Sequence, residues 1–216
     1  MKSVKKLFIW LLVSVFVLQG VLPSTTVQAA QKMTFTDQIT ISYGTKDNYT
    51  SGYAINNFPA NGTVKNLKIS NNKLAKVSWR KSDKELIWFQ PLSTGSAKVT
   101  FDVVYGKKTQ HFKSKVTITR YQSPCKSFKV GTKDYASKFK NAHYSYQYGT
   151  KNKKSKVSIK AISGWKVTNI YYYNGKTGKN IKNNSNVTLR PGSCISVNLY
   201  NSKTQKYECI SLSFFN

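Results

Sequence analysis

The alternation of apolar and polar residues constrains the fold of this chain more than any other sequence feature. Between Leu67 and Phe101, apolar residues come in short alternating runs that Asn, Asp and Gly turns separate. Successive side chains of a strand point to opposite faces, so each run can bury one face and leave the other in water. The pattern predicts a β-sandwich and gives no sign of a catalytic centre.

The same alternation extends through the first part of the chain. It recurs at Ile39 and Ile41, from Val99 to Tyr105 and from Phe112 to Ile118, and Gly106-Lys107-Lys108 is a predicted hairpin loop between the last two runs. Two packed antiparallel sheets are the economical way to cover strands with one apolar face. The side chains expected to contribute most to this core are Trp79, Trp88, Phe89 and Phe101.

Residues 1–30 are predicted to be a secretory signal peptide. A leader with three lysines precedes the apolar stretch Leu7 to Val17, and small residues for a peptidase lie near Ala29 and Ala30. The alternative, an uncleaved membrane anchor, needs about 20 apolar residues, and this stretch is shorter. The expected location is therefore secreted or extracellular, with no membrane span after cleavage and with charge as a means of retention at the cell wall.

The remaining residues are predicted to form two domains. Residues 31–120 are the first β-sandwich, residues 121–216 are the second, and Pro124 stiffens the link between them. Gly44 to Ser51 recurs as Gly131 to Ser137, at an offset of 87 residues. This offset is about one sandwich domain long and suggests a tandem duplication, although a short turn sequence could also recur by chance. The predicted fold class is all-β, with two tandem Ig-like β-sandwich domains.

A family resemblance lies within residues 67–101. The segment Ser70-Asn71-Asn72-Lys73-Leu74-Ala75-Lys76-Val77, the run Leu86 to Leu92 and the segment Gly95-Ser96-Ala97-Lys98-Val99-Thr100-Phe101 resemble the bacterial Ig-like domains of cell-surface and secreted proteins. In that family a Ser-Asn turn and a Gly-x-Ala-x-Val motif flank a middle strand. Two positions depart from the family pattern: Leu67-Lys68-Ile69 replaces a Trp-x-Ser run, and Asp83-Lys84-Glu85 replaces a Gly. The resemblance implies an Ig-like scaffold without catalytic residues.

The chain is strongly basic. It has 35 Lys plus Arg against 7 Asp plus Glu, a net charge of +28, and removal of the three leader lysines leaves 32 against 7, or +25. The chain has only three arginines, Arg80, Arg120 and Arg190. Bidentate binding of phosphate or carboxylate by guanidinium groups is therefore expected to contribute little to anion binding. The charge favours diffuse attraction to polyanions. Alternatively, the Lys-rich composition reflects codon bias and solubility.

The three cysteines leave at least one unpaired within the chain. Cys194 and Cys209 are predicted to lie on a hairpin that turns near Asn201-Ser202, with both thiols on the face opposite Ile195 and Val197. A Cys194–Cys209 disulfide is the first choice, because secretion permits disulfides. A bridge from Cys125 to either one, or three buried thiols, are the alternatives.

Enzymatic activity is not expected. Asp83 and Glu85 lie in a turn among lysines, where solvated charge is the simpler interpretation, and neither His111 nor His143 lies beside a recognisable nucleophile. The chain contains no Cys-x-x-Cys pair and no glycine loop of the phosphate-cradling type. The sequence therefore predicts a non-catalytic protein without a metal or other cofactor.

A candidate binding site falls in the second half. Three tyrosines alternate along one strand, a lysine loop follows, and further aromatic residues lie nearby. Aromatic rings beside lysines can stack on sugars or bases and hold an anionic backbone, although alternating tyrosines are also common as cross-strand packing. The candidate residues are Tyr144, Tyr146, Tyr148, Lys151, Lys153, Lys154, Lys156, Trp165, Tyr171 and Tyr173.

Two functions from different classes are compatible with these features. The first is a binding or adhesion module for an anionic cell-wall polymer or glycan, or for a surface protein. The second is a structural spacer or accessory subunit of an extracellular assembly, in which the charge serves only retention and solubility. Nucleic acid is a less favoured partner, because the sequence has no motif of a nucleic-acid-binding fold.

Overall fold

The computed structural model describes residues 32–216, and these residues form an all-β fold, as the alternation predicts. The predicted signal peptide lies outside the described residues. The first seven strands are β1 (Gln38–Tyr43), β2 (Ser51–Ala54), β3 (Thr63–Ile69), β4 (Ala75–Trp79), β5 (Leu86–Pro91), β6 (Gly95–Tyr105) and β7 (Lys108–Arg120). The next nine are β8 (Cys125–Val130), β9 (Lys133–Asp134), β10 (Tyr144–Gln147), β11 (Lys153–Ala161), β12 (Trp165–Tyr173), β13 (Gly178–Asn180), β14 (Asn186–Leu189), β15 (Cys194–Asn201) and β16 (Lys206–Phe214). Two short 3-10 turns, Lys81–Asp83 and Ala136–Phe139, interrupt the strands.

Strands β1–β7 form a sandwich of two sheets with Ig-like strand order. One sheet has the order β1-β7-β6-β3 and the other has the order β2-β5-β4. If the strands are lettered A to G, the sheets are A-G-F-C and B-E-D, which contain the G-F-C and B-E-D neighbours of the immunoglobulin fold. Strand β1 pairs with β7 in parallel, so the first strand joins the sheet that contains the last one.

The core of this sandwich lies between the two sheets. Alternate residues of β5, β6 and β7 are buried, among them Phe89, Phe101 and Val116. Trp88 does not belong to this core, contrary to the prediction. Strand alternation turns it away from Ile87 and Phe89, and the Arg80 guanidinium lies 5.0 Å above its ring.

Gly95 shows why the segment that resembles bacterial Ig-like domains has a glycine at the start of β6. Its φ is +140°, and a Cβ built at this position would lie 3.2 Å from the Leu74 side chain. Leu74 is fully buried between the Asn71 turn and β6, and its carbonyl accepts a hydrogen bond from the Leu92 amide at 2.9 Å. A side chain at position 95 would strain the backbone and crowd this buried leucine.

Strands β8–β16 form a second sandwich with related strand order. Its sheets have the orders β10-β16-β15-β12-β13 and β14-β11-β8-β9. As in the first sandwich, an early strand pairs in parallel with the last one, here β10 with β16. The second core lies between these sheets and includes Phe128, Phe139, Leu199 and Phe214.

In the strand topology, the counterpart of the segment at Gly44 is not the one predicted from the sequence repeat. Strand β1 corresponds to β10, because each pairs in parallel with the last strand of its sandwich. Gly44-Thr45-Lys46 follows β1, and Gly149-Thr150-Lys151 follows β10, whereas Gly131-Thr132-Lys133 lies between β8 and β9. The predicted correspondence between Gly44 and Gly131 is therefore not a topological one.

The two sandwiches are in contact within one compact unit, Met33–Asn216. The residues of the first core run from Met33 to Ile118, and those of the second run from Tyr121 to Phe214. The domain limits 31–120 and 121–216 remain a prediction.

Candidate functional site

Four of the predicted tyrosines lie on the outer face of the five-stranded sheet. The strand register places Tyr144 opposite Ser211, Ser211 opposite Ser196, and Ser196 opposite Tyr171. A second row, two residues further along each strand, consists of Tyr146, Ser213, Cys194 and Tyr173. We call these eight residues the tyrosine face.

The tyrosine face has a polar floor and aromatic sides. The Ser196 and Ser211 hydroxyls are hydrogen-bonded at 2.8 Å, and the Cys194 Sγ lies 3.7 Å from Ser196 Oγ. Three strand spacings separate Tyr144 from Tyr171, or about 14 Å between Cα atoms. Because serine and cysteine are much smaller than tyrosine, only short side chains lie between the two aromatic sides of this face.

The tyrosine rings are accessible. Tyr144, Tyr146 and Tyr171 are 46%, 55% and 41% exposed, so these side chains do not serve only as core packing. Burial of part of the Tyr144 phenol raises its pKa, with smaller contributions from Cys209 and Asp47, and the hydroxyl remains a neutral hydrogen-bond donor.

Further aromatic residues extend the tyrosine face at both ends. Tyr148 is well exposed and stacks on Phe215, with ring centroids 5.7 Å apart, and Phe215 also lies 5.8 Å from the Tyr146 ring. At the opposite end, Tyr200 and Tyr207 are cross-strand partners with ring centroids 4.4 Å apart. Sequence analysis missed Phe215, Tyr200 and Tyr207, although Tyr207 is two residues from Cys209, which was assigned to the outer face.

Trp165 does not join the tyrosine face. A register shift between Val167 and Asn169 inverts the alternation along β12, so Trp165 packs against the second core while Tyr171 points outward. Trp165 and Tyr171 are six residues apart and would share a face in a regular strand, so only the bulge separates them. The placement of Trp165 beside the tyrosines was therefore wrong.

The predicted lysine loop divides between two other surfaces. Lys154 and Lys156 alternate with the buried Ser155 and Val157 on β11, so they point outward from the four-stranded sheet, on the other side of the sandwich. Lys151 and Lys153 line a cleft of about 270 Å³ at the end of the sandwich. None of the four lysines lies on the tyrosine face.

The Cys194–Cys209 disulfide is absent, and Cys125, Cys194 and Cys209 are all free thiols. The predicted face is correct, because both hairpin thiols point away from Ile195 and Val197, but the register differs. Cys194 lies opposite Ser213 and Cys209 lies opposite Asn198. Four residues of strand separate the two positions, about 13 Å, which exceeds the Cα separation that a disulfide spans.

Cys125 is a buried thiol of the second core. Its Sγ lies 3.0 Å from the Ser127 carbonyl oxygen, and burial raises the pKa of the thiol to about 12. A thiol with this pKa is a poor nucleophile, so Cys125 is a packing residue.

A buried polar network that sequence analysis missed joins the two sandwiches. Asp47 belongs to the turn after β1, His143 immediately precedes β10, and Glu208 lies on β16. The His143 Nδ1 lies 2.5 Å from Asp47 Oδ2, and its Nε2 lies 2.8 Å from Glu208 Oε2. We call these three residues the junction triad.

The surrounding chain holds the junction triad tightly. The backbone amide of His143 donates a second hydrogen bond to Asp47 at 2.8 Å, and the Lys46 amide donates to the Asn141 carbonyl at 3.0 Å. Gly44 permits this approach, because a Cβ there would lie 2.6 Å from the Asn141 carbonyl oxygen. All three triad side chains are at most 8% exposed.

The electrostatics of the junction triad favour a charged imidazole between two carboxylates. Burial alone would lower the pKa of His143, but hydrogen bonds to Asp47 and Glu208 outweigh it and raise the pKa to about 8. Burial would raise the pKa of Glu208, but hydrogen bonds from His143 and Lys206 hold it below its usual value. The Lys206 ammonium lies 2.9 Å from Glu208 Oε1 and adds a second positive charge.

The junction triad is suited to joining two segments and not to turning over a substrate. His143 is enclosed by the rings of Tyr121 and Tyr49, whose centroids lie 4.0 Å and 5.5 Å from its own. Both imidazole nitrogens are occupied by carboxylates, so neither is available to activate a nucleophile. Within residues 32–216, no group of three His, Cys, Asp or Glu side chains is arranged to hold a metal ion.

Comparisons with known proteins give only remote likenesses. No family model matches the sequence, and no curated protein was found to match it. Domains 5–6 of the S-layer protein SbsC share 14% identity, with 86% of this chain and 99% of that chain covered and a TM-score of 0.31. The fibronectin(III)-like modules of Clostridium thermocellum CbhA share 11%, with 85% and 94% covered and a TM-score of 0.29.

An endo-fucoidan hydrolase of glycoside hydrolase family 107 shares 8% identity over 85% of this chain, with a TM-score of 0.31. The chain spans 28% of the length of that hydrolase. Identities and TM-scores this low leave the Ig-like assignment resting on strand order. In the described part of the chain, no helix has the length and apolar character needed to cross a membrane.

Proposed function

We propose that this protein is a non-catalytic extracellular binding module that engages a glycan or an anionic cell-wall polymer through the tyrosine face. The observation that carries the proposal is the row Tyr144, Ser211, Ser196, Tyr171, in which two exposed aromatic side chains flank hydroxyl groups across four strands. The predicted signal peptide and the resemblance to bacterial Ig-like domains support a location outside the cell.

The chemistry of the tyrosine face suits sugar rings. A sugar ring presents a C–H face that packs on an aromatic ring, and its hydroxyls exchange hydrogen bonds with serine and tyrosine hydroxyls. Tyrosine supplies a large contact area at a low cost in side-chain entropy, and serine adapts its hydrogen bonds. Antibody binding sites are enriched in the same two residue types, tyrosine and serine.

The lysines provide long-range electrostatic attraction to polyanions and do not form the specific contacts with the ligand. The net charge of +25 that remains without the predicted signal peptide, 32 Lys plus Arg against 7 Asp plus Glu, raises the local concentration of any polyanion near the protein. This contribution weakens with salt, because the Debye length falls from about 10 Å at 0.1 M to about 3 Å at 1 M. Contacts made by the tyrosine face are short-range and persist when the salt concentration rises.

A second candidate function is a rigid spacer or accessory subunit of an extracellular assembly. The junction triad favours it, because buried charged contacts from both sandwiches hold them together. In this alternative the tyrosine face is covered by a neighbouring protein, and the charge serves retention only.

The test is binding of the purified protein to a panel of neutral glycans, acidic glycans and a polyol-phosphate polymer, with the variant Tyr144→Ala/Tyr171→Ala. We expect a loss of about tenfold or more in affinity, taking as a guide the about 1–3 kcal/mol that one aromatic side chain contributes when a nucleic-acid base stacks on it. The matched control is Trp88→Ala, which removes an aromatic side chain from the outer face of the first sandwich.

Equal affinity of the double tyrosine variant and the wild-type protein for every bound polymer would reject the tyrosine face as the site. A correctly folded wild-type protein that binds no glycan or polymer but forms a stable complex with a surface protein would favour the spacer alternative. Circular dichroism spectra of all variants establish that they are folded.

A further inference from the structure

A basic cleft lies at the end of the second sandwich, and two copies of one tripeptide contribute to it. Gly131-Thr132-Lys133 connects β8 to β9, and Gly149-Thr150-Lys151 follows β10. Both glycines have left-handed backbones, with φ of +64° and +71°. All six residues line the cleft of about 270 Å³ described above. Two of the three Gly-Thr-Lys copies therefore lie in this cleft, outside the tyrosine face, whereas the third, Gly44-Thr45-Lys46, lies beside Asn141.

All charged side chains that line the cleft are positive. They are Lys133, Lys151 and Lys153, and no Asp or Glu lines it. The nearest acid in sequence, Asp134, is engaged elsewhere: its carboxylate accepts hydrogen bonds from Ser127 Oγ at 2.7 Å and from the Phe128 amide at 3.0 Å. The positive potential in the cleft is therefore not cancelled by a lining carboxylate.

The cleft also contains a hydroxyl with no protein partner. Ser155 is only 6% exposed as a residue and lines the cleft, and its hydroxyl makes no hydrogen bond within residues 32–216. Because the cleft is the accessible side of this residue, a ligand bound there can take the place of water as the hydrogen-bond partner of the hydroxyl. Thr132 and Thr150 add two further hydroxyls to the lining.

One of the three lysines is already held in place. The Lys133 ammonium donates a hydrogen bond to Gln147 Oε1 at 2.9 Å and lies 5.0 Å from the centroid of the Tyr135 ring. Because this side chain is partly ordered before binding, less entropy is lost when a ligand arrives.

We propose that this cleft binds a tetrahedral oxyanion, a phosphate or sulfate group, with the three ammonium groups as charge partners and Ser155 as a neutral hydrogen-bond donor. A volume of about 270 Å³ corresponds to about nine water molecules at 30 Å³ each. The cleft therefore has room for the phosphate or sulfate group and for part of the larger molecule to which that group is attached. The site is separate from the tyrosine face and goes beyond the function proposed above.

The test is a titration of the purified protein with sodium phosphate, sodium sulfate, sodium acetate and sodium chloride at constant ionic strength, followed by isothermal calorimetry and by the melting temperature. We expect saturable binding of phosphate and sulfate, with weaker binding of acetate and none of chloride. Lys133→Gln/Lys151→Gln/Lys153→Gln should weaken phosphate binding by about tenfold or more, since three nearby charges are removed.

The matched control is Lys154→Gln/Lys156→Gln/Lys160→Gln. It removes the same charge from outward-facing positions of β11, and we expect its phosphate affinity to fall by less than about twofold. Ser155→Ala keeps every charge and should weaken binding severalfold, which keeps the proposal testable if the first triple variant does not fold.

Equal losses in the two triple variants would overturn the proposal, because the effect would then be general charge. Equal responses to phosphate and chloride would also overturn it. Tyr144→Ala/Tyr171→Ala should leave phosphate binding unchanged, so failure of the cleft and failure of the tyrosine face are distinguishable.

Discussion

His111 and His143 make the same short contact with a carboxylate in opposite surroundings. In each case Nδ1 lies 2.5 Å from an aspartate oxygen, but the His111 side chain is 79% exposed and the His143 side chain is 8% exposed. Water screens the first pair and is excluded from the second. At the scale of single residues, burial and not distance decides what such a contact contributes.

We predict that His143→Ala destabilises the protein by about 3–5 kcal/mol. The substitution leaves the Asp47 and Glu208 carboxylates buried without the cation between them. Urea unfolding measures the change, and His111→Ala is the matched control, for which we expect no change beyond measurement error. Equal effects of the two substitutions would contradict the assignment of the junction triad.

The junction triad also predicts how stability depends on pH. The pKa of His143 is raised from 6.5 to about 8, so its contribution is complete below pH 6.5 and is lost as pH rises through about 8. A shift of this size corresponds to about 2 kcal/mol. Glu208 has a lowered pKa, so its contribution is present above pH 4.5 and is lost as pH falls.

Unfolding free energies measured from pH 6 to pH 9 should therefore fall by about 2 kcal/mol for the wild-type protein. In His143→Gln, which cannot titrate at this position, the fall should be much smaller. A wild-type profile that is flat over this range would contradict the raised pKa of His143.

One residue of the junction triad carried a signal in the sequence. Glu208 occupies the same strand phase as Ile210 and Leu212, so a charged side chain is placed on an apolar face and requires a partner. The identity of that partner could not be predicted, because Asp47 is 96 residues and Glu208 65 residues away from His143. The alternation of a strand reveals which side a residue faces, but not which distant loop meets it.

At the scale of elements, register depends on turns that sequence patterns describe poorly. The β15–β16 hairpin turns through residues 202–205, two residues later than predicted. The Asn201 side chain accepts hydrogen bonds from the Lys203 and Thr204 amides, and Gln205 has a φ of +55°. A shift of two residues in the turn moves each cross-strand partner by four, which separates Cys194 from Cys209.

The register predicts the outcome of a thiol count. After oxidation in air and denaturation, the wild-type protein should show three reactive thiols. Ser213→Cys places a fourth thiol directly opposite Cys194, within the Cα separation that a disulfide spans, and should leave two reactive thiols. A wild-type protein with one reactive thiol would contradict the three free thiols, and peptide mapping of a Cys194–Cys209 bridge in it would contradict this register.

At the scale of the whole molecule, the alternation predicted the all-β class because it depends only on local geometry. Runs such as Val99 to Tyr105 became strands with their apolar phase buried. The position of the tyrosines depends on long-range strand pairing. Tyr144 and Tyr171 lie on the same face of one sheet because β10, β16, β15 and β12 are neighbours in that order. Sequence analysis named both residues but could not place the serine floor between them, nor exclude Trp165 without the bulge in β12.

The most direct test of the proposed function is binding of the purified wild-type protein to the same polymer panel at about 50 mM and about 500 mM salt. A site made of short-range contacts on the tyrosine face predicts that at least one glycan or polymer loses less than about tenfold in affinity between the two conditions, while purely charge-driven binding falls steeply. Binding to every polyanion that vanishes at the higher salt concentration, with no ligand retained, would contradict a specific site and leave charge-driven retention as the function.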